Sequence, residues 1–67
     1  KIKIKINGKI KSITQDSKLS IVIKNLKIPL NKVAIELNEE IIDKKKINLI
    51  KLNKNDKIEI VHFIGGG

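Results

Sequence analysis

Few side chains in this sequence could do chemistry. It has one histidine, His62, and neither cysteine nor tyrosine. Nucleophilic catalysis needs a nucleophile, a base and a group that orients the base, and this inventory does not supply the set. Glu39 and Glu40 are adjacent carboxylates, but neighbours on a strand or turn project to opposite faces and cannot share a proton. A zinc site needs three or four His, Cys or carboxylate ligands, more than any local stretch offers, so no metal site is expected. No phosphate loop is present either, because Gly8 stands alone until Gly65. The run Lys44-Lys45-Lys46 reads as a wet loop, with an anion-docking patch as the alternative. The chain is therefore expected to carry no catalytic site and no bound cofactor of its own.

What remains is the stretch VHFIGGG, which holds three of the four glycines at 65–67. Glycine buries no side chain and its backbone is costly to order, so such a run contributes nothing to a core. It suits a segment that threads a narrow channel of a partner, where absent Cβ atoms let the backbone approach a nucleotide. The reactive group would then be the α-carboxylate of Gly67, with Gly65 and Gly66 as the threading part. A carboxylate is a poor electrophile until converted to an acyl-adenylate, which calls for ATP and magnesium at the partner's site. A sulfur nucleophile that displaces AMP would leave a thiocarboxylate, a 1-thioglycine at Gly67.

The elements that must present this tail are legible in outline. At 67 residues and 40% hydrophobic content, with one aromatic residue, the chain has room for one small aliphatic core. Ile2, Ile4 and Ile6 alternate with lysines, the pattern of a half-buried strand. Asn7-Gly8 separates it from a second β-favouring run, Lys9 to Thr14, and predicts a tight hairpin. Leu19, Val22, Ile23 and Leu26 recur at helical spacing, with Asp16 or Ser17 as the expected cap and Pro29 as the stop. Val33 to Leu37 reads as a strand buried on both faces, and Asn38-Glu39 as a turn into a brief strand at Glu40-Ile41-Ile42. Residues 43–54 are polar, with Ile47, Leu49, Ile50 and Leu52 returning to the core. After a turn at Asn55-Asp56, the last strand runs from Lys57 to Ile64 and is expected beside the first, in parallel. The expected architecture is α+β: a ubiquitin-like β-grasp, a mixed five-stranded sheet with one main helix on one face. One domain spans 1–64, and 65–67 form a flexible glycine tail.

A formal charge of +8 raises nucleic-acid binding as a possibility. All the basic residues are lysine, though, and arginine is the side chain suited to bidentate phosphate and guanine contacts. Phe63 is the only residue that could stack on a base, so no nucleic-acid partner is expected. Lysines interrupt every apolar stretch near the N-terminus, which leaves neither a signal-type run nor a membrane span. A cytoplasmic protein with no membrane partner, monomeric alone, is the expectation.

The run from Val33 to Ile42, the turn Asn55-Asp56-Lys57 and the ending EIVHFIGGG strongly resemble the ThiS family of sulfur carriers of thiamine biosynthesis. The resemblance covers essentially the whole chain, and EIVHF before the glycines is its specific part. It implies that a ThiF-type adenylyltransferase activates Gly67, with sulfur from a cysteine desulfurase or sulfurtransferase. The thiocarboxylate would then donate sulfur to the thiazole synthase ThiG. Val61 and Phe63, with His62 between them, form the expected docking surface. Many family members have Asn-Gly where this sequence has Asn38-Glu39, so a strained or differently shaped turn is expected there. The small subunit of molybdopterin synthase, which shares the fold and a Gly-Gly end, is the alternative reading. A basic nucleic-acid-binding module and a modifier conjugated to lysines are more distant ones.

Overall fold

Asn7 and Gly8 both take left-handed backbone angles (φ 49° and 82°), the requirement of a type I′ turn. They join β1 (Ile2–Ile6) to β2 (Lys9–Ile13) with Ile6 opposite Lys9, so the hairpin predicted from Asn-Gly forms in tight register. The computed structural model describes residues 1–63. After the hairpin come α1 (Leu19–Asn25), a 3₁₀ segment (Leu30–Lys32), β3 (Val33–Leu37), β4 (Glu40–Ile41), a second 3₁₀ segment (Lys44–Leu49) and β5 (Lys57–His62). The five strands form one sheet in the order β2-β1-β5-β3-β4. β5 is central: it lies parallel to β1 and antiparallel to β3. This is the expected mixed β-grasp sheet.

The core fills one side of the sheet. Ile4 and Ile6 of β1, Val33 and Ile35 of β3, and Ile58 and Ile60 of β5 pack against Leu19, Val22 and Ile23 of α1. Ile47 and Leu52 close the same cluster from the irregular segment between β4 and β5. The opposite side of the sheet has no covering layer among the described residues. For that reason Val33 to Leu37 is not buried on both faces as expected: Ala34 and Glu36 are only half-buried, on the open side.

Two further expectations fail. Neither Asp16 nor Ser17 caps α1; the N-cap position is Lys18, which makes no side-chain cap. Asp16 is instead left-handed (φ 67°), and the Ser17 hydroxyl donates to the Thr14 carbonyl at 2.6 Å. The segment 50–52 supplies the missing contact, since the Leu19 N–H donates to the Ile50 carbonyl at 2.9 Å. At the other end, left-handed Lys27 (φ 57°) turns the chain two residues before Pro29. Leu49, expected in the core, is 77% exposed. The segment is a 3₁₀ helix, in which residues three apart share a face. Ile47 and Ile50 therefore turn inward and Leu49 outward.

A side-chain network fixes the end of the sheet where β3, β4 and β5 meet. The Asp56 carboxylate, 9% exposed, accepts from the Asn53 N–H (2.7 Å) and from Asn38 Nδ2 (3.0 Å). Asn38 Oδ1 accepts in turn from the Lys57 N–H at 2.9 Å. At the β1–β2 turn, Asn7 Oδ1 likewise accepts from the Ile60 N–H at 2.8 Å, linking residues at opposite ends of the sequence. Because two part-buried donors, the Asn53 N–H and Asn38 Nδ2, lose their charged acceptor, Asp56→Ala should lower stability by about 1–2 kcal/mol. Urea denaturation checks this; a loss under about 0.5 kcal/mol would mean that water replaces the carboxylate at little cost.

The turn at Asn38-Glu39 is strained, as expected. Both residues are left-handed (φ 51° and 72°), and Glu39 lacks the short side chain that lets asparagine tolerate that region. Its compensation is an exposed ion pair with Lys57 at 3.3 Å, worth a few tenths of a kcal/mol. Relief of left-handed strain should exceed that loss and the extra freedom glycine gives the unfolded chain. Glu39→Gly is therefore expected to stabilise the fold by about 0.5–1 kcal/mol. A lower urea midpoint for this variant would show that the ion pair outweighs the strain.

Candidate functional site at the end of the central strand

The tail glycines Gly65, Gly66 and Gly67 lie outside the described residues, so the site is built from what leads into them. In β5, alternation sends Ile58 and Ile60 into the core and Glu59 and Val61 to the open side of the sheet. Val61 is 52% exposed and sits opposite Ala34 of β3. His62 follows the core-facing parity but lies beyond the end of the core and is exposed, paired in register with Val33. Phe63 is 60% exposed. The expected docking trio of Val61, His62 and Phe63 is thus consecutive and accessible at the end of the central strand.

That strand end is anchored at its last described residue. The Phe63 N–H donates to the Lys32 carbonyl at 2.9 Å, which ties the exit of β5 to the 3₁₀ segment ahead of β3. Lys44 reaches the same place from the second 3₁₀ segment. Its ammonium donates to the Leu30 carbonyl (2.9 Å) and the Val33 carbonyl (2.8 Å) and stands 5.3 Å from the Phe63 ring centroid. The Lys44-Lys45-Lys46 run therefore divides: Lys44 is half-buried and engaged, while Lys45 and Lys46 are exposed. Nothing in the local sequence separates these three lysines, because what distinguishes Lys44 is a contact with residues far from it in the chain.

Two more exposed apolar residues lie on the open side of the sheet, Ile10 (67%) and Ile41 (76%). Their placement could have been read from the turns. Asn7-Gly8 sets Ile10 opposite Lys5, and Asn38-Glu39 sets Ile41 opposite Glu36. Each partner faces water, so each isoleucine must as well. Together with Val61 they give that side an apolar character that the lysine-rich composition conceals. Among the described residues, no three His, Cys, Asp or Glu side chains come together as a metal site, and no helix is long and apolar enough to cross a membrane. Among the described residues, what the geometry offers is an accessible strand end.

Comparison with known proteins agrees with this picture. The chain is 36% identical over 66 residues to the thiazole synthase of Paramagnetospirillum magneticum, a match that covers 98% of this chain and 20% of that protein. It is 51% identical over 35 residues to the sulfur carrier protein ThiS of Bacillus subtilis, covering 52% of this chain and 53% of the carrier. The chain thus spans only a fifth of the synthase and about half of the carrier. In structure it is similar to the crystal structure of the thiamine biosynthesis protein ThiS from Geobacter metallireducens, with a TM-score of 0.86. That match covers 98% of this chain and all of the other, and at 23% identity it speaks for the fold. The sequence profile of the ThiS family matches residues 4–67, from the first buried isoleucine through the glycines, and on that match the chain belongs to the ThiS family.

Proposed function

We propose that this chain is a sulfur carrier for thiazole formation in thiamine biosynthesis, a protein cosubstrate rather than a catalyst. The observation that carries the reading is the family match over residues 4–67, which takes in all three tail glycines. The Gly67 carboxylate attacks the α-phosphorus of ATP at a ThiF-type adenylyltransferase, releasing pyrophosphate and forming an acyl-adenylate. Magnesium and ATP belong to that partner. Sulfur from a cysteine desulfurase or sulfurtransferase, delivered as a persulfide, displaces AMP to give an acyl disulfide; a thiol of the partner then attacks the donor's sulfur, forming a disulfide with it and releasing the thiocarboxylate. Gly65 and Gly66 thread the tail, and Val61, His62 and Phe63 are the surface the partners grip.

Delivery of the sulfur to a thiazole synthase of the ThiG type is supported by the relative from P. magneticum. A fifth of that thiazole synthase is similar to nearly all of this chain, which is the relation expected of two parts that work on one another. The test is loading. The chain is incubated with magnesium, ATP and a ThiF-type enzyme, and its intact mass is measured. An added adenylate is expected first, then, once a sulfur donor is present, a gain equal to sulfur replacing oxygen. If neither product forms while the B. subtilis carrier loads fully under the same conditions, the proposal fails.

A further inference from the structure

We infer that Lys44 is a positioning residue that holds Phe63 in place at the end of β5 before any partner is met. The inference rests on the carrier reading for its functional meaning, but the arrangement itself stands on geometry. Three carbonyls from one short stretch converge beside the strand exit. Those of Leu30 and Val33 accept from the Lys44 ammonium, and that of Lys32 accepts from the Phe63 N–H. The ammonium also faces the Phe63 ring at 5.3 Å, within the range of a cation–π contact. Lys44 is itself held at the start of its 3₁₀ segment, where the Asp43 carboxylate accepts from the Lys45 N–H at 2.9 Å. Segments 30–33, 43–45 and 63 therefore meet at one charged side chain.

This contact matters because Phe63 is exposed and makes no core contact that would hold it in place. Without the ammonium, two carbonyls lose their donor and the ring loses its cation, leaving a single backbone hydrogen bond on the strand exit. Ordering one residue's backbone corresponds to about a tenfold change in an association constant. A docking residue already held at the strand end has met that cost before docking, whereas a loose one meets it on docking. The other two lysines of the run are solvated and take no part.

The test uses the whole chain and two independent readouts. Lys44→Met keeps the length of the stem and removes the charge. Lys44→Arg keeps the charge and has donors enough for both carbonyls and a plane that stacks on the ring. Exchange of the Phe63 amide hydrogen should quicken about tenfold in Lys44→Met and return to within about twofold of the parent in Lys44→Arg. Phe63→Leu, at an exposed position that cannot unfold the core, should give a smaller acceleration at residue 63. With a ThiF-type enzyme, Lys44→Met should raise KM for the carrier about tenfold and leave kcat nearly unchanged, because only the free carrier's preorganisation is lost. Unchanged exchange at Phe63 in Lys44→Met, or an arginine variant that behaves like methionine, would overturn the inference. Failure of the parent chain to be adenylated would strike the carrier proposal instead, and the exchange measurement would still decide the role of Lys44.

Discussion

Deletion of Gly67 should reduce sulfur loading at least a hundredfold while leaving the fold untouched. Removing one residue draws the reactive carboxylate back by up to about 3.5 Å along an extended chain. A misplacement of only 1 Å at a reacting centre already costs about a hundredfold, so a full residue puts the carboxylate out of reach of the nucleotide. Among the described residues the core ends at Ile60 and the last anchor is at Phe63, so none of their contacts is removed. The measurement is intact-mass analysis of the loading reaction beside a urea melt of the same protein. Loading near the parent level would mean that the sulfur is carried elsewhere. Loss of loading together with a lowered melt would mean that the tail has a structural role the proposal does not give it.

The second large effect is expected inside the sheet. Ile58 is completely buried on β5, the strand paired on both sides, and its side chain lies in the common core with those of β1, β3 and α1. Ile58→Ala should cost about 4 kcal/mol, the sum of lost transfer free energy and an incompletely collapsed cavity. For a chain of this length the whole stability is on the order of 3–10 kcal/mol, so the variant should be largely unfolded or close to it. Ile10→Ala makes the matched control: the same truncation at a site 67% exposed should change stability by less than about 0.5 kcal/mol. Circular dichroism with urea titration of the two variants tests the contrast. Similar losses at both positions would mean that the open side of the sheet is covered in solution.

The parts of this fold that could be read in advance are those in which a local rule and the tertiary solution coincide. Asn7-Gly8 forces a hairpin wherever it sits between β-favouring runs, and the Ile-Lys alternation of β1 has one sensible orientation. The parallel pairing of β1 and β5 was legible because the two most regularly apolar strands both needed burial. Apart from Leu49, turned outward by its own 3₁₀ segment, the readings failed where distant parts of the chain decide the outcome. Ser17 looked like a cap, but the Ile50 carbonyl meets the start of α1 and the Ser17 hydroxyl turns to Thr14. Val33 to Leu37 reads as buried on two faces because Ala34 is apolar, yet among the described residues no second layer covers the sheet there. The candidate site divides the same way: Val61 and Phe63 followed from strand parity, whereas Lys44 was one lysine among fifteen basic residues until the fold set it over the ring.

The left-handed turns carry a last consequence, for how this chain uses glycine. Asn7, Asp16, Lys27, Asn38, Glu39 and Asn55 all hold positive φ without it, while Gly8 alone among the described residues takes the angle glycine suits best. A sequence that tolerates asparagine, lysine and even glutamate in that region treats backbone freedom as dispensable. Its remaining glycines, at 65, 66 and 67, then point to a different demand, one of girth. On the proposed carrier role, what those positions exclude is a β-carbon of any kind, and the dimension kept is that of the partner's passage.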